Sequence, residues 1–165
     1  MPEKQTVERA RKAKRKGKSP STQAGEFVRE EIHHIREGKH GARSTKQAIA
    51  IGLSKARRAG VSLRPPEKGE VPEKTRRSAK HAYRAGRRQK PKASRRRSKA
   101  TELALKREPR SAASRKALSR QARSAARKRT RTERSASARR AARTKGRRGR
   151  SAAPRKAART RAGRG

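Results

Sequence analysis

The stretch "STKQAIAIGLSKARRAG", Ser44 to Gly60, sets three branched apolar residues, Ile49, Ile51 and Leu53, into a chain otherwise dominated by Arg, Lys, Ala and Ser. Ser44, with Gln47 three residues on, has the form of a capping box, and Gly60 suits a C-terminal stop. At helical spacing Thr45, Ala48, Ile49, Gly52, Leu53 and Ala56 share one face, while Lys46, Arg57 and Arg58 lie on or near the opposite one. Gly52 costs about 1 kcal/mol relative to Ala inside a helix and is expected to mark a close approach of another backbone. Ile51 points to the polar side. It is either an isolated exposed Ile or part of a surface for a partner or for self-association.

Upstream, Ala24, Phe27, Val28, Ile32 and Ile35 recur at helical spacing between Gln23 and Glu37, with Ser21 or Thr22 as candidate cap and Gly38 as stop. The far side carries Glu26, Arg29, Glu30, Arg36 and Glu37, with Glu31 near the apolar edge. That acidic helix is a poor phosphate ligand. Together the two helices predict a helical hairpin over residues 23–63, preceded by a basic arm (1–22) that forms a marginal helix between its residues 3 and 17. A Pro-rich linker (64–74) and a polybasic tail (75–165) follow. The hairpin's few large apolar side chains do not clearly outweigh the entropy of ordering it, so it is expected to be barely stable alone.

The charge sets the class of function. The chain has 55 Lys and Arg against 12 acidic residues, all Glu, for a formal charge of +43 over 165 residues. Residues 73–165 hold 37 of the basic residues and four of the Glu. With 27% hydrophobic residues, one Phe, one Tyr and no Trp, the composition predicts a mostly disordered chain with a small all-α element near the N-terminus. Arg-Ser-Ala recurs from Arg77, Arg110, Arg123, Arg134 and Arg150, and "RSAASRKA" from Arg110 is nearly repeated as "RSAAPRKA" from Arg150. The spacing is irregular, which argues against a solenoid. Segments such as 98–108 and 111–129 are expected to coil only once phosphates neutralise them.

A chain that neutralises phosphates releases condensed counterions, and this term carries no base preference. The basic residues expected to meet nucleic acid are Lys46, Arg57, Arg58, Arg87, Arg88, Arg95, Arg96, Arg97, Arg127, Lys128, Arg129, Arg139, Arg140, Arg147, Arg148 and Arg150. Phe27, Ile32, Ile35, Ile49, Ile51 and Leu53 are assigned to helix packing or self-association. Sequence readout needs a rigid element at base edges, and single-strand binding uses aromatic platforms; the tail offers only Tyr83. "KGRRGR" (145–150) and "AGRG" (162–165) lack the Pro of a full AT-hook. The connection before Ser44 is about seven residues, longer than the three or four of a helix-turn-helix.

Other chemistries find little support. There is no Cys for a disulfide or thiolate site. His33 and His34 diverge around a helix, and with His40 and His81 they form no i, i+4 pair, so no metal site is expected. Neither a nucleophile arrangement nor a phosphate-cradling Gly loop is present, and no cofactor or enzymatic activity is expected. The N-terminus lacks the apolar segment of a signal peptide, and no run approaches a membrane span. Ser78, Ser98, Ser111, Ser124 and Ser135 are flanked by basic residues and are either phosphate acceptors or small spacers.

Phe27 to Leu63, with "KQAIAIGLSKAR" as its most specific part, resembles a domain of unknown function found in small basic bacterial proteins. That resemblance implies only loose labels such as DNA-binding or plasmid stabilisation. The tail resembles those of linker histones and bacterial histone-like proteins in composition, but favours Arg over Lys. The reading is a non-enzymatic, histone-like, nucleoid-associated protein of the bacterial cytoplasm that coats duplex DNA by phosphate neutralisation. DNA is favoured over RNA and membrane is excluded as partner, with a homo-oligomer formed through the hairpin as an option. An RNA- or ribosome-associated basic protein is one alternative, and a protein-interaction module in plasmid maintenance is another.

Overall fold

A computed structural model describes residues 2–88 and 94–162, apart from the side chains of 144–145, 147–157 and 160–161. The described residues form seven α-helices: α1 (Lys4–Arg15), α2 (Pro20–Arg36), α3 (Thr45–Arg58), α4 (Glu73–Arg87), α5 (Arg95–Lys106), α6 (Arg115–Arg127) and α7 (Arg131–Ala162), with a 3-10 turn at Arg110–Ala113. Among them there is no strand, only an isolated bridge between Lys68 and Val71. This overturns the expectation of a mostly disordered chain. The chain divides into two compact units, Met1–Gln121 and Ala122–Gly165, so the first runs well past the hairpin end expected at residue 63.

The composition argument failed because it counted large apolar side chains, whereas this fold packs small ones. Gly52 faces α2 so closely that a Cβ there would lie 2.6 Å from Val28 Cα, which is the approach its position implied. Ala24, Ala48 and Ala56 are fully buried where α2 and α3 meet. One apolar cluster joins Phe27, Ala24, Ala56, Ala10 and Val61, with Val7, Leu53 and Leu63 at its margin. The other joins Ile32, Ile35, Ala42 and Ala48. Short side chains let the helix axes approach, and close approach multiplies dispersion contacts that no single large residue supplies.

The helix ends follow local chemistry. Ser44 Oγ accepts from the Gln47 backbone N–H at 3.2 Å, while Gln47 Oε1 reaches back to the Arg43 N–H at 2.8 Å. Gly60 stops α3 with φ +88° and Gly38 follows α2 with φ +78°. The cap of α2 is Ser19 rather than Ser21 or Thr22, because Pro20 takes the first helical position, where its missing N–H costs nothing.

Residues beyond the hairpin complete the first unit. α4 lies on α3, burying Ala79 and Ala82, and Gly86 brings its backbone against the Arg57 carbonyl. The last turn of α5 and the segment after it close the far end of the hairpin, through Gly41 N–H to Leu105 O (2.8 Å) and Ala42 N–H to Pro109 O (3.0 Å). Buried Thr45 Oγ1 donates to Ala112 O at 2.7 Å and Arg36 Nε to Ala113 O at 2.9 Å. Ala112 and Ala113 thereby enter the cluster of Ile32 and Ile35, with Leu118 against it. One copy of the Arg-Ser-Ala repeat is thus a structural plug.

In the second unit the order comes from helix propensity and capping. Ala and Arg are among the better helix formers. Thr130 Oγ1 accepts from the Glu133 N–H at 3.2 Å, and Glu133 Oε2 accepts from the Thr130 N–H at 2.7 Å, a reciprocal box at the start of α7. α7 is interrupted at Gly146, whose φ of 64° and ψ of 179° are not helical.

Gly52→Ala tests the close approach directly. Propensity alone would stabilise the helix by about 1 kcal/mol, but the added methyl must displace the α2 backbone. A net loss of about 1–3 kcal/mol is expected by urea denaturation, and a gain would show that the helices stand further apart.

Candidate nucleic-acid interface

Most of the basic residues expected to meet nucleic acid are exposed. Lys46 and Arg58 are exposed on α3, Arg88 follows α4, and Arg95, Arg96 and Arg97 open α5. Arg127, Lys128 and Arg129 lie exposed at and after the end of α6, and Arg139 and Arg140 on α7. Arg131, Thr132, Ser135, Ala136 and Arg139 line a shallow depression along one side of α7. Arg87 is exposed but engaged: its guanidinium carbon sits 5.5 Å from the Tyr83 ring centre, and its Nη1 donates to the Tyr83 hydroxyl at 2.9 Å. The one tyrosine therefore has a cation over its ring, where a base would otherwise stack. The side chains of Arg147, Arg148 and Arg150 lie outside the described residues.

Arg57 does not belong to this set. It is 7% exposed, and its guanidinium donates to Leu63 O at 3.2 Å and Arg64 O at 3.4 Å, folding the chain after α3 back onto the helix. Burial lowers its pKa from the usual arginine value. The helix wheel placed it on the solvent side because it knew nothing of α4 and the returning loop.

The apolar assignments divide likewise. Phe27, Ile32 and Ile35 are buried within the two clusters, which makes them packing residues and removes them from any self-association surface. Ile49, Ile51 and Leu53 are half-buried, so Ile51 is not the freely exposed residue its polar-side position suggested. Among the described residues, the exposed large hydrophobic is Leu103, at 49%.

The carboxylates mostly face inward or pair. Glu26 binds Arg9 at 3.2 Å and Glu73 binds Arg76 at 2.8 Å; the Arg76 hydrogen bond holds the Glu73 carboxyl below its ordinary pKa. Glu30 and Glu31, the first of them expected to face solvent, are buried on α2. Lys55 of α3 sits between them, its Nζ 2.6 Å from Glu31 Oε2 and 3.7 Å from Glu30 Oε1. Neither Glu31 oxygen has a hydrogen-bond partner among the described residues, so the Lys55 contact is an ion pair. His40 Nε2 approaches Glu31 Oε1 at 3.3 Å, and His34 Nε2 approaches Glu3 Oε1 at 2.8 Å. The His34 hydrogen bond, aided by the charge of Lys39, holds the Glu3 carboxyl below its ordinary value. Sequence reasoning missed this network. Its only trace was a paired Glu-Glu at the apolar edge of α2, and nothing local tied it to Lys55 or to His40 in the connecting loop.

Comparison with protein-family models, curated proteins and solved structures finds no match. Among the described residues, no helix is long and apolar enough to cross a membrane.

The two adjacent arginines of α3 separate the fold from the interface. Arg57→Gln is expected to cost about 2 kcal/mol of stability, since two carbonyl partners lose a charged donor. Arg58→Gln should leave stability within about 0.5 kcal/mol, and any salt slope of binding to a polyanion should fall by up to about one contact. Thermal melts and binding titrations of both variants check this, and equal melting temperatures would contradict the assignment of Arg57.

Proposed function

We propose that this protein is a non-enzymatic, nucleoid-associated binder of duplex DNA that acts by phosphate neutralisation with little sequence preference. The observation that carries the reading is an asymmetry of exposure: basic side chains stand exposed on helices of both units, while many of the carboxylates are engaged in pairs, caps or buried contacts. Residues 122–165 alone hold 18 basic residues and one acidic one. Such a surface gains affinity from every phosphate it meets and loses little to like-charge repulsion from its own acids.

The choice of DNA over RNA rests on shape and on aromatics. An α-helix with its side chains, about 10–12 Å across, matches the roughly 12 Å major groove of B-form DNA. The major groove of A-form RNA is deep and too narrow for side chains to read, and recognition of unpaired RNA bases uses aromatic faces. Here the single tyrosine already carries Arg87. A nucleoid location follows from this binding mode and belongs to the same proposal.

Competition at matched salt tests the reading. Two unrelated duplexes of equal length should bind within about threefold of each other, since phosphate contacts carry no sequence information, and should displace the protein from a structured RNA of the same charge. An RNA that displaces duplex DNA would move the protein to the RNA-binding class, and a strong preference between duplexes would reveal base readout.

A further inference from the structure

The His34–His40 side of the buried carboxylate network has the composition of a cation site. Glu31, His34 and His40 each offer one ligand atom, and the three atoms lie within 4.8 Å of one another. The Glu31 side chain is fully buried, and those of His34 and His40 are 13% and 14% exposed. The two rings stand edge to face with centres 6.2 Å apart.

The protonation pattern carries the argument. His40 Nδ1 lies 3.0 Å from Gly41 O; a carbonyl only accepts, so Nδ1 carries the proton in that bond. In the neutral ring Nε2 then presents a lone pair, and it lies 3.3 Å from Glu31 Oε1, a buried oxygen with no hydrogen-bond partner among the described residues. A buried, unpartnered carboxylate oxygen beside an imidazole nitrogen is a position that a metal ion bound by both would satisfy. Two tetrahedral ligands of zinc, each about 2.0–2.1 Å from the metal, lie roughly 3.4 Å apart, close to the 3.3 Å between His40 Nε2 and Glu31 Oε1. Lys55 occupies the other oxygen, Oε2, and leaves Oε1 to the histidine. Glu3, 2.8 Å from His34 Nε2, supplies the carboxylate that commonly orients a metal-bound imidazole.

Charge balance points the same way. The connected ion pairs comprise four carboxylates (Glu3, Glu30, Glu31 and Glu37) and two ammonium groups, Lys39 and Lys55. The carboxylates of this network outnumber its ammonium groups by two, inside a chain whose formal charge is +43. We propose that Glu31, His34 and His40 bind one divalent transition-metal ion, zinc being the natural fit for two imidazoles and a carboxylate. The ion fastens the loop after α2, whose Gly41 and Ala42 hold the segment that follows α5, to the body of the first unit.

The test titrates zinc into metal-free, nucleic-acid-free full-length protein by calorimetry, with cobalt(II) absorption as an independent report of tetrahedral nitrogen and oxygen ligation. One ion per chain is expected. His34→Gln/His40→Gln should weaken binding at least about tenfold, while His33→Gln/His81→Gln, which alters two exposed histidines, should leave it unchanged; far-UV circular dichroism checks that both variants fold. The proposal is overturned if the unsubstituted chain neither saturates at one zinc nor gives the tetrahedral cobalt spectrum. It is overturned equally if a folded His34/His40 variant keeps its affinity or if the His33/His81 variant loses as much.

Discussion

Self-repulsion among the cationic side chains is the constraint that the rest of this structure answers. Two unit charges 10 Å apart in water repel by about 0.4 kcal/mol, and in a chain of formal charge +43 such terms accumulate, only partly screened at cellular salt. The twelve glutamates cannot cancel this term, but their placement moderates it where the chain is most tightly packed. Eight of them fall within the first 72 residues. Pairs such as Glu26 with Arg9 and Glu31 with Lys55 tie α1 to α2 and α2 to α3. Beyond that region Glu133, in the first turn of α7, closes the cap at Thr130.

The packing obeys the same constraint. Large apolar residues are scarce, so the first unit is assembled from Ala and Gly at helix contacts, with Phe27 and Ile35 as its largest fully buried apolar side chains. Close contact between small residues depends on shape, and it tolerates little change at Gly52 or Gly86, where neighbouring backbone already occupies the space of a methyl group. The gain is a helical body that holds its basic side chains at fixed spacing. On the proposed function, phosphates bound there would remove repulsion as well as supply attraction.

The two central helices were legible in the sequence because their signals are local. Apolar spacing placed Phe27, Ile32, Ile35 and Ala48 correctly on buried faces, and Ser44, Gly38 and Gly60 marked ends that the structure keeps. Gly52 was legible for the same reason: an unfavourable residue inside a helix implies a neighbour. The ordering of the chain beyond residue 63 was not legible, because an Ala-rich face among arginines looks like a solvated tail when large apolar side chains are the only measure of a core. Arg57 and Glu30 were misplaced since their environment comes from α4, the loop after α3 and the N-terminal segment, all distant in sequence. The grouping of Glu31, His34 and His40 likewise depends on how the loop after α2 returns, which no spacing rule encodes.

In the proposed function, displaced counterions supply most of the binding energy. The most direct measurement is the affinity of the full-length chain for a mixed-sequence duplex as a function of salt. A plot of log affinity against log salt should be linear with a slope of about −0.9 per phosphate contacted, reaching about −7 or steeper for eight or more contacts. A slope shallower than about −2 would contradict the account, because so few phosphate contacts leave the charge of this protein without a part in holding its target.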